Sequence, residues 1–205
     1  MTEQSVQYSF NPRFQTLAIH QSGTESHANL PDERIRTIIG FAPWGRNFGF
    51  FDASTLQGIQ VPMLLISGSD DDVSGYQNGT RAIWEEAVNV DRALLTLENA
   101  NHNAGGPYPA PAESFAYNSR LGFSPEEHYG DAVWDTARMN HISQHFSTAW
   151  LDLYLKGDSE QADYLDQIPY SNDGVYSIDD NGNPTVEHTN WKGLPNRTAK
   201  RLHFE

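Results

Sequence analysis

Three short apolar runs, rich in isoleucine and leucine and separated by polar stretches, mark the first half of the chain. Residues 35–42 (IRTIIGFA), closed by Pro43, have the β-branched character of a buried strand; residues 61–67 (VPMLLIS) and 93–97 (ALLTL) repeat the pattern. Between the second and third runs, Ile83, Trp84, Ala87 and Val88 recur at helical spacing within 77–89. Strand, helix, strand in that order implies two parallel strands. Farther on, Ile142, Phe146, Ala149, Trp150 and Leu153 form an apolar stripe that predicts a long amphipathic helix within 132–155, stopping at Lys156-Gly157 and covering one face of the sheet. Beyond it, the turn-rich stretch 179–184 (DDNGNP) between 174–178 and 185–188 predicts a small β-hairpin. The first 34 residues are polar and mixed, with one helix-start signal at Asn11-Pro12.

These elements predict an α/β fold of three layers: a mostly parallel sheet, a long C-terminal helix and a hairpin tail. The expected organisation is a single domain, with a connecting segment at 1–34, a core at 35–156 and a tail at 157–205.

Composition adds limits. With 38% hydrophobic and 20% charged residues in a chain of 205, a packed core is expected. A formal net charge of −14, with no run of basic residues to offset it, repels phosphates and anionic lipid surfaces, so neither nucleic acid nor a membrane is an expected partner. No apolar run approaches the roughly 18 residues that span a bilayer. The absence of cysteine excludes disulfides, thiolate nucleophiles and cysteine-bound metals but leaves the compartment open.

Candidate chemistry sits where the strands end. In an open parallel sheet, functional groups gather at the carboxyl ends of the strands. The second run leads into Gly68-Ser69-Asp70-Asp71-Asp72-Val73, and the third into Glu98-Asn99-Ala100-Asn101-His102-Asn103. If the two strands are neighbours, one of the three aspartates comes within reach of His102. A histidine can then take a proton from a hydroxyl nucleophile and return it to a leaving group, while a carboxylate fixes its tautomer. The aspartates also suit a solvated turn that caps the next helix. Asp70, Asp72, Ser74 and Gly75 imitate the start of an EF-hand loop, but Arg81 stands where a calcium-binding glutamate is needed. His141 and His145, four apart on one helix, lack the glutamate of a zinc-protease pair and read as packing or pocket wall.

The turn APWG at 42–45, the run VPMLLISGSDDDVSGY, the ending LENANHN and the stretch WDTARMNHISQHF together resemble the later part of dienelactone-hydrolase-like and polyester-hydrolase-like α/β-hydrolases. The resemblance implies a serine-type hydrolase of carboxylic esters or lactones, working without cofactor or metal. It assigns the triad acid to Asp71, with Asp72 as the alternative, and the triad base to His102. Trp44 resembles the aromatic wall beside the ester carbonyl; it equally reads as a core or rim aromatic, and apart from the resemblance Tyr108 and Trp134 are candidate substrate contacts beside it.

The departure from that family lies in the nucleophile. Its Gly-x-Ser-x-Gly elbow must precede the acid in chain order, and Ser22, with His20 and Thr24 where the two glycines belong, only imitates it. The expectation is therefore that this chain is N-terminally truncated, supplies only the acid and the histidine, is inactive alone, and has the missing N-terminal portion as its partner. The alternative is a non-catalytic binding or scaffold domain that keeps the architecture without the chemistry.

Overall fold

The computed structural model of the chain describes residue 21 and residues 23–205; the helix signal at Asn11-Pro12 and the serine at position 22 lie outside the described residues. After a single helical turn, α1 (Glu25–Ala28), the chain enters strand β1 (Ile38–Phe41), then α2 (Ala53–Leu56) and β2 (Met63–Gly68). Next come α3 (Ala82–Glu86), β3 (Arg92–Leu97), the long α4 (Thr136–Leu151) and β4 (Leu202–Phe204).

The four described strands form one sheet in the order β1-β2-β3-β4. The first three are parallel, pairing Ile38 with Met63 and Met63 with Arg92 at their starts, and β4 runs antiparallel to β3 with Leu97 opposite Leu202. The class is thus α/β with a mostly parallel open sheet, as the apolar runs implied.

Side chains alternate across a strand, so each strand of a sheet covered on both faces feeds two cores. Leu64, Ile66, Leu95 and Leu97 point to one face, where Met139, Ile142, Phe146 and Trp150 of α4 meet them. Met63, Leu65 and Leu94 point to the other, against Leu56 and Ile83. All of β2 is buried, whereas β1, at one edge of the described sheet, is only half-buried and ends on an exposed Phe41. That edge position is why the predicted strand at 35–42 contracts to its middle: Ile35 is exposed.

Helix starts are set by side-chain caps. Before α4, the Asp131 carboxylate accepts from the Val133 and Trp134 N–H groups (2.8 and 2.7 Å), which makes a turn where helix was predicted. Asp135 then accepts from the Arg138 N–H and starts the helix proper. Past Leu151 the helix continues as a wider turn, Asp152–Lys156, and stops at Gly157 as predicted. The segment before α3 likewise opens wide, with the Thr80 N–H reaching the Gly75 carbonyl at 3.1 Å.

The tail departs most from expectation. The predicted hairpin is present in reduced form, with one bridge between Ile178 and Pro184 and its arms also joined by the Thr185 N–H to the Ser177 carbonyl (3.1 Å) and the Thr189 N–H to the Val175 carbonyl (2.9 Å), while the Asp179 carboxylate accepts from the Asn181 and Asn183 N–H groups and closes the turn. Instead of forming an appendage, the tail completes the core. Trp191 is buried edge-on against Phe146, its indole N–H donating to the Ile168 carbonyl at 2.9 Å, and β4 adds the fourth strand.

Candidate active site

Two loops leave the carboxyl ends of β2 and β3 side by side, and the backbone stitches them together. Ser69 donates its N–H to the Leu97 carbonyl (3.0 Å) and Asp70 donates to that of Ala100 (2.9 Å). The Asn99 N–H returns a bond to the Ser69 hydroxyl at 2.7 Å. The approach is so close that a Cβ on Gly68 would stand 2.2 Å from the Ala100 carbonyl oxygen, so only glycine fits there.

This seam brings Asp71 and His102 together. Both oxygens of the Asp71 carboxylate lie 3.0 Å from Nδ1 of His102. The carboxylate is fully buried, and Oδ1 also accepts from the Val73 and Ser74 N–H groups at 2.9 and 2.8 Å, so its direction is set by its own loop. Asp70 and Asp72 are exposed beside it. The imidazole is 37% exposed, and among the described residues Nε2 has no hydrogen-bond partner. A ring held at Nδ1 by a carboxylate presents Nε2 as the atom free to take a proton.

His102 itself opens a short helical turn, His102–Gly105, capped by the Asn101 side chain, which accepts from the Asn103 N–H at 2.8 Å. The Asn101 N–H donates to the Asp131 carboxylate (2.7 Å), while the Asn101 and Asn103 side-chain amides both reach the Gly130 carbonyl. Asn101 carried a readable signal, since asparagine is a favoured cap. Asp131 carried none: it acts 30 residues along the chain from the backbone it holds.

The end of β1 joins the same corner. The Ser74 hydroxyl donates to the Ala42 carbonyl, and the Asn47 side chain reaches the Val73 carbonyl at 3.4 Å. Ala42 has a left-handed φ of 42°, uncommon for a residue with a Cβ and a mark of local strain, and Gly105 packs against its methyl group. Trp44, two residues on, is 46% exposed and forms an aromatic cluster with Phe48 and Phe50, each ring centroid 4.9 Å from its own. Of the further aromatics, Tyr108 is exposed, but Trp134 is buried, donates its indole N–H to the Glu98 carbonyl (2.8 Å) and carries Arg138 on its face; it is a core residue, not a substrate contact.

A cleft of about 190 Å³ opens beside the His102 turn, between Phe41 and the 105–108 segment on one side and Asn140, Ser143, Gln144 and Ser147 of α4 on the other. A larger cavity, about 800 Å³, lies elsewhere, between α4 and residues 193–200, and shares no lining residue with this corner. His141 and His145 line it, so they are pocket wall. Compared with models of known protein families and with curated protein sequences, the chain matches none.

Proposed function

We propose that Asp71 and His102 are the acid and base of a serine-type carboxylester hydrolase acting on carboxylic esters or lactones, in the manner of the dienelactone-hydrolase-like α/β-hydrolases. The observation that carries the reading is an imidazole held through Nδ1 by a buried carboxylate while Nε2 faces outward without a partner among the described residues. In this reading Nε2 takes the proton of a hydroxyl as its oxygen attacks the ester carbonyl, and the Asp71 carboxylate stabilises the imidazolium that forms. The proton then passes to the departing alkoxide oxygen, which leaves as the alcohol. A water molecule repeats the cycle on the acyl-enzyme, and His102 returns the proton to the hydroxyl. Trp44 and the cleft beside Phe41 flank the ester.

The hydroxyl and the oxyanion donors come from outside the described residues, on a segment that pairs with the edge strand β1 in the family's arrangement. The test uses the chain alone and the chain extended by whatever its gene encodes upstream. Alone, it turns over nitrophenyl acetate no faster than free imidazole does. Extended, it acquires saturable turnover and a serine labelled by a fluorophosphonate; His102→Ala abolishes both, and Asp71→Asn lowers kcat by about four orders of magnitude. An extended enzyme indifferent to His102→Ala would sink the reading, and an extended chain with neither turnover nor labelling would leave the architecture as a binding domain.

A further inference from the structure

The cavity of about 800 Å³ between α4 and residues 193–200 collects charge of the sign opposite to the chain's own. It is lined by Arg138, Arg197 and Lys200, with His141 and His145 from α4 and apolar surface from Ile142, Leu194 and Pro195. Burial, and after it the neighbouring Arg201, push the pKa of Arg138 down, against a smaller upward effect of Asp135. Among the described residues none of these four cations makes an ion pair; the Lys200 ammonium donates to the Asn172 carbonyl, at 3.3 Å. The one acidic group lining the cavity, Asp135, has Oδ1 committed to capping α4.

Like charges gathered at one surface without an ion pair repel one another, with Asp135 the one acid beside them, and in a chain with net charge −14 there is no shortage of carboxylates that could have paired with them. The distant acids do not cancel the local field, because in physiological salt exposed charges beyond about 8 Å are largely screened. From this we infer that the cavity between α4 and residues 193–200 binds a small organic anion, a carboxylate or phosphate group carried on an apolar body. The anionic group sits among Arg138, Arg197 and Lys200, and the body lies on Ile142, Leu194 and Pro195. A volume of about 800 Å³ is far more than an inorganic ion fills and falls within the range of small-molecule sites. The inference is independent of the ester-hydrolase reading, since the two sites share no residue.

Calorimetric titration of the full chain with phenyl phosphate, hexanoate, inorganic phosphate and hexanol tests it, with amide chemical shifts to locate binding. Arg138 is left intact because its guanidinium also holds the Thr198 and Lys200 carbonyls, each at 3.0 Å. The probe variants are Arg197→Asn, suited to the left-handed backbone at that position, and Lys200→Gln; Arg120→Gln is the control on a different exposed loop. Phenyl phosphate and hexanoate are expected to bind saturably and to weaken with added salt, while hexanol and inorganic phosphate bind far more weakly. The double variant loses about tenfold in affinity at unchanged melting temperature, Arg120→Gln loses nothing, and the shifted amides fall in 137–145 and 193–200. Hexanol binding as well as hexanoate, wild-type affinity in the double variant, or shifts confined to other residues would each overturn the assignment.

Discussion

The hydroxyl of Ser74 donates to the carbonyl of Ala42 across 2.7 Å, and both residues are buried. This bond fastens the loop that carries Asp71 to the end of β1. Because Ser74 also gives its backbone N–H to Asp71, one residue links the carboxylate to the end of β1.

Ser74→Ala therefore leaves the Ala42 carbonyl without this partner inside the protein, at a cost of about 1–3 kcal/mol. Urea unfolding is expected to show a lower midpoint with an unchanged slope. A variant as stable as the parent would mean that the carbonyl finds another partner and that the brace is dispensable.

Gly68→Ala forces a methyl group into the Ala100 backbone, where there is no flexible side chain to yield. The seam between the loops must open, separating Asp71 from His102, with a loss of about 3–5 kcal/mol, at the upper end of what single substitutions cost. Nitrogen chemical shifts of the His102 ring report the separation directly: the single tautomer imposed by Asp71 gives way to a mixture. A folded variant that keeps one tautomer would contradict the close approach.

Burial lowers the pKa of His145 below its ordinary 6.5, against a smaller upward effect of the Lys192 backbone. Above pH 6.5 the ring is neutral in folded and unfolded chains alike and contributes nothing to the pH dependence. As the pH falls below 6.5 the unfolded chain takes up a proton that the folded ring resists, so stability declines until the lower folded value is reached. His145→Gln is expected to flatten that decline. Urea midpoints measured from pH 8 downward check it, and an unaltered slope in the variant would assign the acid sensitivity to another group.

Glu205 titrates in a different window. Arg81 binds its carboxylate through two hydrogen bonds, of 2.6 and 3.1 Å, and holds its pKa below the ordinary 4.5. Stability from this pair is fully present above pH 4.5 and is lost as the pH falls through the depressed folded value. Glu205→Gln is expected to lower stability at neutral pH and to make the fall below pH 4.5 shallower. The same substitution tests whether the pair, which ties the entry of α3 to the residue after β4, anchors the last strand: amide exchange at Leu94, whose N–H donates across to the Glu205 carbonyl at 2.8 Å, is expected to quicken. Unchanged exchange would show the β4 ladder to be self-supporting.

The three parallel strands, the helical segment between the second and third, and the long α4 were legible in the sequence because each is announced by its own local periodicity. A buried strand needs a continuous apolar run and an amphipathic helix needs a stripe, and both patterns lie within one stretch of chain. The loops that end β2 and β3 followed from strand direction alone, which narrowed the corner to three aspartates and one histidine. The structure separates Asp71 from Asp72 through two backbone N–H groups that turn one carboxylate inward and leave its neighbour in water. Sequence spacing cannot resolve such a choice, because adjacent residues in an irregular loop differ only in where the backbone points them.

Other features depended wholly on tertiary contacts. Strand β4 is three residues long and gains its partners from β3, more than a hundred positions earlier. Asp131 steadies the turn of His102 from a distance at which no local pattern operates. The cationic cavity joins Arg138 to a tail segment some 60 residues later; Arg197, Lys200 and Arg201 lie within five residues of one another in the sequence, but their meeting with α4 depends on the fold. Periodicity determined which segments would be strands and helices, since burial of apolar surface is written into each segment separately. Packing decided which polar groups meet, since that depends on where the chain returns.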